Sequence, residues 1–191
     1  MLGCGVANCN GRLEAAGVGS QEMLMFFRHT AAIAVLPVTV LVLVPAWIAR
    51  QYGVPAEVGR SAGAVVLQLI GLAAFVLGLA LFIASLRRFA TEGKGTLAPW
   101  DPPRVFVVSG PYRFVRNPMI SGVIFMVFGE ALLLRSLPHA AWAGFCLVLN
   151  LIYIPLVEEP QLRFRFGASY VDYCRGVRRF IPRLTPWQPR P

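Results

Sequence analysis

Charged residues are scarce in this chain, and that scarcity excludes most soluble folds. Only 14% of the 191 residues are charged, and just nine residues are acidic, whereas about a quarter of the residues of a soluble domain are charged. Hydrophobic residues make up 57% of the chain and are grouped into long blocks. The composition therefore predicts a protein that crosses a membrane several times.

Metal-ligating residues are also few. The two histidines and four cysteines are scattered, with no CxxC or Cys/His spacing, so we predict no metal site and expect reduced, unpaired thiols. The net charge is +9. Because the basic residues lie between the apolar blocks and in the tail, the positive-inside rule explains them better than nucleic-acid binding does. The expected partner is the lipid bilayer, and the oligomeric state stays open.

Four apolar blocks divide the chain, at about residues 26–48, 61–86, 119–134 and 140–157. About twenty apolar residues cross a bilayer as a helix, so we predict an all-α integral membrane protein with about four transmembrane helices. An arginine-flanked amphipathic segment at 160–174, interrupted by Gly167, follows the last block. It predicts a cytoplasmic C-terminal helix on the membrane surface or beneath the bundle.

The remaining segments complete a simple domain plan. Residues 1–22 are expected to form a disordered leader, residues 23–183 a single helical membrane domain, and residues 184–191 a flexible tail. With four spans and the N-terminus inside, fifteen of the eighteen Lys and Arg residues face the cytoplasm. We therefore predict that both termini are cytoplasmic and that the protein is integral to the membrane, which would be the inner (plasma) membrane if it is bacterial.

Local signals refine two of the blocks. Ser61 is suited to cap the second helix, and Gly63, Gly71 and Gly78 recur near helical turns along it, which favours close packing against a neighbouring helix. Between the third and fourth blocks, Leu137-Pro138-His139 is predicted to turn the chain.

The first candidate site segment is residues 107–119, which lead directly into the third block. Gly110-Pro111 predicts a turn, and Asn117 is placed to cap the following helix. The N–H groups at that helix start favour an anion. Arg113 and Arg116 add planar cations that match carboxylates or phosphates. The alternative is an ordinary juxtamembrane turn whose arginines touch lipid headgroups.

The second candidate segment is the pair Glu158-Glu159 at the end of the fourth block. Neighbouring helical residues point about 100° apart, so we expect one glutamate to meet a ligand and the other to pair with Arg113, Arg116 or Arg163. Carboxylates at a membrane boundary are costly unless they are paired or functional. A purely structural ion-pair network is the alternative.

Together the two segments suit a ligand that carries a carboxylate, an amine and sugar hydroxyls. S-adenosylmethionine has all of these groups. Because its sulfonium is already activated, methyl transfer requires mainly an aligned nucleophile and a dry pocket.

The residues of both segments carry a family resemblance. Gly110-Pro111-Tyr112-Arg113-Phe114-Val115-Arg116-Asn117-Pro118-Met119 is followed by Glu158-Glu159-x-x-Leu162-x-x-x-Phe166-Gly167-x-x-Tyr170-x-x-Tyr173 and by Arg179-Phe180-x-Pro182. This pattern, within about residues 75–183, resembles the isoprenylcysteine carboxyl methyltransferase family, whose superfamily includes phospholipid N-methyltransferases. The resemblance implies a small helical membrane enzyme that uses S-adenosylmethionine at its cytosolic face, within about residues 89–183, to methylate a lipidic or apolar small molecule.

The resemblance also implies roles for individual residues. Catalytic roles fall to Arg116, Glu159 and Arg163. The residues that would line the cofactor are Val108, Gly110, Tyr112, Arg113, Arg116, Asn117, Pro118, Met119, Glu158 and Glu159. The chain departs from the pattern at Asn117, where the family commonly has His, and at Ile120, where it commonly has Tyr.

Two other functions compete with methyl transfer. A non-enzymatic membrane protein that retains the scaffold is favoured by the missing His and Tyr. An NADPH-dependent membrane reductase would share the C-terminal architecture but would require a larger basic pocket.

Overall fold

A computed structural model describes residues 35–55, 57–92 and 106–188, and the regular secondary structure of these residues is all helical, with no strand. The helices are α1 (Val35–Gln51), α2 (Ala62–Glu92), α3 (Pro118–Leu134), α4 (Leu137–Tyr153) and α5 (Glu159–Gly176). The all-helical prediction is confirmed for this part of the chain. The predicted leader lies outside the described residues.

Two stretches are long and apolar enough to cross a membrane, Ala62–Arg88 in α2 and Leu137–Gly176, which joins α4 to α5. Helices α1 and α3 are apolar but shorter. The 22 residues from 136 to 157 include no Asp, Glu, Lys or Arg, and they suffice to cross a hydrocarbon core of about 30 Å. Glu158 and Glu159 therefore lie just beyond the apolar part of the second stretch. The count of four spans and the orientation of the termini stay predictions.

Helix α1 is held to α4 through its backbone carbonyls. A π-helical segment, Thr39–Leu43, precedes Pro45, which has no N–H to donate. The indole N–H of Trp142 lies 3.1 Å from the carbonyl oxygen of Val40, and Nε2 of His139 lies 3.1 Å from that of Pro45. Side chains of α4 thus provide hydrogen-bond partners for backbone carbonyls of α1, where the regular α-helical hydrogen bonding of α1 is interrupted.

Helices α2 and α3 pack with their backbones in contact. A Cβ atom added to Gly78 would lie 2.6 Å from the carbonyl oxygen of Gly122, and one added to Gly71 would lie 2.8 Å from that of Gly129. The predicted close packing is confirmed at Gly71 and Gly78. It is wrong for Gly63, where an added Cβ would meet nothing within 4 Å.

The structure confirms one prediction about where the helices begin and end, and it corrects two others. Ser61 Oγ accepts a hydrogen bond from the backbone N–H of Ala64 at 3.2 Å, as its capping role requires. Helix α2 continues to Glu92, six residues beyond the predicted end. The predicted turn at 137–139 is wrong, because the chain turns at Arg135, which has a left-handed φ of 49°, and Leu137 already begins α4. Proline is tolerated in a first helical turn, so Pro138 did not mark the loop.

The path from α4 through α5 departs from regular α-helix at two places. A π-helical turn, Ile154–Glu158, follows α4 and includes Pro155. Gly167 then interrupts α5 with φ 55° and ψ −131°, a conformation essentially restricted to glycine. The predicted interruption at Gly167 is confirmed, and it divides α5 into two differently directed halves.

Candidate active site

The turn that precedes α3 is anchored on the end of α2. Gly110–Arg113 forms a 3₁₀ turn, and Gly110 has φ +54°. A Cβ atom at Gly110 would come within 3.1 Å of the Arg88 side chain, so glycine allows this close approach. The Ser109 hydroxyl donates to the Glu92 carboxylate at 2.5 Å. Both contacts fix the turn against the last turns of α2.

A C-terminal strap, residues 177–188, runs beside the segment 113–117. Two backbone hydrogen bonds link Arg116 and Asn117 to the carbonyls of Arg178 and Arg179, at 2.9 and 3.3 Å. The strap donates two more, from Arg183 to the Phe114 carbonyl and from Trp187 to the Arg113 carbonyl, both at 2.9 Å. Four backbone bonds therefore hold the arginine-bearing turn in place.

An aromatic cluster also contacts the turn. Phe106, Tyr170, Tyr173 and Trp187 are connected by ring contacts with centroids 5.1–5.7 Å apart. The Tyr173 hydroxyl donates to the Tyr112 carbonyl at 2.6 Å. Trp187, in the segment predicted as a tail, also accepts from Arg113 Nε through its carbonyl at 2.7 Å. The second half of α5 and the strap thus form the support beneath the turn.

Glu159 is the buried centre of an ion-pair cluster. Its side chain is 4% exposed, and Oε1 accepts from Arg116 Nη1 at 3.0 Å and from Arg179 Nε at 2.5 Å. Arg179 Nη2 donates to Oε2 at 2.9 Å, which makes its contact bidentate, and Arg163 Nη2 lies 3.9 Å from the same oxygen. Bidentate arginine contacts are among the strongest that a carboxylate accepts.

Electrostatics within the cluster favour the ionised carboxylate. Burial raises the pKa of Glu159, but the Arg179 hydrogen bond and the charges of Arg116, Arg179 and Arg163 outweigh it. The pKa of this carboxyl is therefore held below its ordinary value. The bond to Glu159 in turn raises the pKa of Arg179. Arg116 Nη1 also donates to Cys174 Sγ at 3.0 Å, so this one arginine, which precedes α3, contacts α5 on both sides of Gly167.

Glu158 has a different environment from its neighbour. Its side chain is half-buried and, among the described residues, has no hydrogen bond or ion pair. Burial and the adjacent charge of Glu159 raise the pKa of Glu158 to about 6. The pKa of the Tyr112 phenol is raised by burial and by the charge of Glu158, which places these two groups within electrostatic reach of each other.

Two open clefts border the ion-pair cluster. The first has a volume of about 290 Å³ and is lined by four arginines, Arg116, Arg163, Arg175 and Arg179, together with Glu159, Val171 and Cys174. The second, of about 370 Å³, has a more apolar wall that includes Leu151, Phe180 and Ile181, and it shares Arg116, Cys174 and Arg179 with the first. Neither cleft is lined by Glu158.

The structure brings most of the predicted site residues to one end of the helical bundle. Arg116, Glu159 and Arg163, predicted to be catalytic, meet in the ion-pair cluster. Pro118 is buried in the first turn of α3, and Asn117 is its N-cap residue by position but makes no capping hydrogen bond through its side chain. Contact of any of these residues with a cofactor stays a prediction.

Two other predicted residues, Val108 and Met119, lie around this cluster rather than in it. Val108 packs against the buried residues Tyr170, Tyr173 and Val177. Met119 is half-buried in the first turn of α3. The loop between α2 and the turn lies largely outside the described residues. In the described part no group of His, Cys, Asp and Glu side chains is arranged to hold a metal ion.

The most important residue that we did not predict is Arg179. It belongs to the Arg-Phe-x-Pro element of the sequence pattern, so its position carried a signal, but its bidentate contact with Glu159 depends on the course of the strap. Cys174 and Trp187 were likewise not predicted, because their contacts join segments far apart in sequence.

Comparison with known families gives one match. Residues 66–169 match the family model described as phospholipid methyltransferase, which is more than half of the chain. The matched region begins in α2, ends in α5 and includes both the 110–119 turn and the Glu158–Glu159 pair. No curated protein and no solved structure matches the chain.

Proposed function

The chain belongs to the phospholipid methyltransferase family, and from that premise we propose that it is an S-adenosylmethionine-dependent enzyme of the membrane that methylates a lipidic or apolar small molecule. The resemblance to the wider group of membrane methyltransferases is confirmed by the family match. The observation that carries the finer proposal is the meeting of the 110–119 turn with the glutamate pair, through Arg116 and Glu159 at 3.0 Å.

The polar groups at this end of the bundle fit the proposed cofactor. S-adenosylmethionine has two cationic groups, an ammonium and a sulfonium, and one carboxylate. Glu158 is a half-buried carboxylate with no partner among the described residues, so it is the group available to receive the ammonium or the ribose. The first N–H groups of α3, together with Arg113 and Arg116, supply positive potential for the carboxylate.

Methyl transfer at the site requires little from the protein beyond holding the cofactor and the acceptor in place. The bound cofactor would supply an activated methyl group. We assign the positioning role to the ion-pair cluster, in which Glu159 fixes the guanidinium groups of Arg116 and Arg179 and Arg163 adds positive charge at its edge. Fixed donors of this kind require no reorganisation when charge moves in the reaction.

The second cleft supports an apolar acceptor. Its wall combines Leu151 of α4 with Phe180 and Ile181 of the strap, next to Arg116 and Arg179. Apolar walls with a few polar groups are typical of small-molecule sites. An acceptor in this cleft would have its apolar part against α4 and its reactive group, a carboxylate, amine or thiol, towards the arginines.

The two departures from the family pattern, at Asn117 and Ile120, have different consequences for ligand binding. Asn117 makes no side-chain hydrogen bond in the described part of the chain, so its amide is free to donate to a ligand, as a histidine would. Ile120 has no hydroxyl and supplies only an apolar surface. We propose that Asn117 replaces the usual histidine in cofactor binding and that this protein does not use the contact of the missing tyrosine.

Calorimetry with the purified full-length protein tests the proposal. We expect S-adenosylmethionine to bind the wild type, and Glu158→Gln to weaken binding by about tenfold or more, because a charge-assisted hydrogen bond contributes about 1.5–3 kcal/mol. Asp172→Asn is the matched control, since it removes an exposed carboxylate of α5 and should leave the affinity unchanged. Absence of binding to folded wild type would reject the proposal.

Activity is tested separately. Incubating the protein with lipid extracts and methyl-labelled S-adenosylmethionine, followed by mass spectrometry, should show label in one lipid class. Cofactor binding without transfer to any extract would favour the non-enzymatic function.

A further inference from the structure

The last turns of α2 extend past the start of α3. Gly78 of α2 contacts Gly122, which lies four residues after Pro118, the first residue of α3. The two helices run antiparallel, and α2 continues for fourteen residues beyond Gly78 to Glu92. About ten of these residues therefore lie beyond the level of Pro118, which corresponds to about 15 Å of helix. This overhang reaches the 3₁₀ turn that precedes α3.

The end of the overhang binds that turn through the α2 latch, formed by Arg88, Glu92 and Ser109. Glu92 Oε2 accepts a hydrogen bond from Ser109 Oγ at 2.5 Å, and Glu92 Oε1 accepts from Arg88 Nη1 at 3.2 Å. A Cβ atom on Gly110 would lie 3.1 Å from Arg88 Cγ and Nε, so the arginine packs against the turn. One carboxylate oxygen thus binds the turn, and the other binds the arginine that packs on it.

Different elements hold the other end of the same turn. The carbonyl of Tyr112 accepts from the Tyr173 hydroxyl of α5, and Arg113 exchanges hydrogen bonds with Trp187 of the strap. Ser109, in contrast, bonds to no element other than α2 in the part of the chain that the structure describes. The latch therefore sets the position of the turn on its α2 side.

The exposure of the latch indicates that it contributes little to overall stability. The side chain of Arg88 is 53% exposed and that of Glu92 is 37% exposed. Exposed ion pairs of this kind contribute little to the free energy of unfolding. We therefore expect the latch to affect the orientation of the turn more than the stability of the protein.

The orientation of the turn matters because of the residues that it carries. Tyr112 and Arg113 are both predicted to line the cofactor, and Tyr112 lies within electrostatic reach of Glu158. The backbone N–H of Tyr112 donates to the carbonyl of Ser109 at 3.2 Å, so a shift of Ser109 is passed directly to Tyr112. Shifts of about 1 Å are large enough to impair a site that depends on the placement of its groups.

We propose that Glu92 is a positioning residue for methyl transfer, which acts through Ser109 to hold the 110–113 turn in its cofactor-binding orientation. This inference rests on the proposed function. Glu92 and Ser109 need not contact the cofactor in this role, because they act through Tyr112 and Arg113. The overhang of α2 is then the third support of the turn, beside α5 and the strap.

A double-mutant cycle on the full-length protein tests the proposal, with S-adenosylmethionine affinity measured by calorimetry. We expect Glu92→Ala and Ser109→Ala each to weaken the affinity about fivefold, the contribution of about one hydrogen bond. The double variant should also lose about fivefold, because either change alone already removes the bond. Ser109→Thr retains the hydroxyl and should bind as the wild type does.

The matched control is Asp172→Ala. It removes an exposed carboxylate that pairs with Arg175 at 3.2 Å, the same distance as in the latch pair, and it should leave the affinity unchanged. The unfolding midpoint of the latch variants should shift by less than about 2 °C. Hydrogen exchange in the cofactor-free protein should become faster in residues 107–114 and stay unchanged in α5.

The possible failures are distinguishable. Wild-type affinity in both single variants, or losses that multiply to about 25-fold in the double variant, would overturn the inference alone. A large fall in the unfolding midpoint of either single variant would indicate a general structural role and would also overturn it. Absence of S-adenosylmethionine binding to the folded wild type would reject the proposed function, and the inference with it.

Discussion

The glycine-packed interface between α2 and α3 and the arginine cluster around Glu159 hold helices together by opposite means. At the first, four glycines remove side chains so that two backbones touch. At the second, long charged side chains extend from the turn before α3, from α5 and from the strap to one buried carboxylate. Steric contact depends on neither pH nor salt, whereas charge pairing depends on both.

The two regions therefore have different roles in the molecule. The glycine interface holds two apolar helices together through direct backbone contact. The arginine cluster collects charges from residues far apart in sequence and borders both clefts. We infer that ligand binding is coupled to the arginine cluster and that the glycine interface acts as its rigid base.

The largest expected effect is that of Glu159→Gln. Without the carboxylate charge, Arg116 and Arg179 are left close together and uncompensated. Breaking a buried pair in this way costs about 3 kcal/mol, the lower end of the usual range, because Arg179 is 41% exposed. Denaturant unfolding in detergent measures the loss. Glu158→Gln is the control and should cost much less, and equal losses would contradict the structural role of Glu159.

The glycine interface should be broken by Gly78→Ala. The new Cβ would lie 2.6 Å from the Gly122 carbonyl oxygen, so the helices must separate, at a cost of about 2 kcal/mol. Gly63→Ala is the matched control in the same helix, where the space is open, and it should gain up to about 1 kcal/mol from helix propensity. Thermal unfolding measures both changes, and equal stabilities for the two variants would contradict the close contact.

Mild acid should weaken cofactor binding at the end of the bundle that carries Glu158 and the arginine cluster, and it should not affect the glycine interface. The pKa of Glu158 is about 6, so lowering the pH from 7 to 5 should reduce S-adenosylmethionine affinity about tenfold if the ionised carboxylate receives the ammonium. Calorimetry at several pH values measures this loss. Glu158→Gln should bind weakly and without this pH dependence, and a wild-type profile that is flat from pH 7 to 5 would contradict the assigned role.

Loss of affinity in that range should not reflect unfolding. The raised pKa of Glu158 contributes stability that is fully present below its unfolded value of about 4.3 and is lost as the pH rises through about 6. The lowered pKa of Glu159 contributes stability that is present above about 4.3 and is lost as the pH falls through its lower folded value. Between pH 7 and 5 neither group weakens the fold. Circular dichroism at each pH checks this.

Local features of the fold could be predicted because their causes are local. Ser61 caps α2 through a neighbour three residues away, and Gly167 breaks α5 through its own backbone freedom. The turn after α3 was misplaced because Pro138 is equally compatible with a loop and a helix start. The pairing of Gly78 with Gly122 required knowing the partner helix, and the sequence supplied only one side of it.

The candidate site was likewise predictable only where its features are local in sequence. Sequence patterns identified the 110–119 turn and the glutamate pair, and they predicted that one glutamate would pair with an arginine. They could not decide which one, because that depends on the π-turn at Ile154–Glu158. Arg179 reaches Glu159 only because the strap runs beside the turn, and no local pattern records such an alignment.

The smallest expected effect is at the exposed pair of Arg175 and Asp172, at the edge of the first cleft. Asp172→Asn removes the partner of Arg175 in a pair that is mostly exposed, so stability should change by less than about 0.5 kcal/mol. Thermal unfolding measures the change. A stability loss as large as that of Glu159→Gln would show that this exposed pair belongs to the ion-pair cluster, and would contradict the difference between buried and exposed charge.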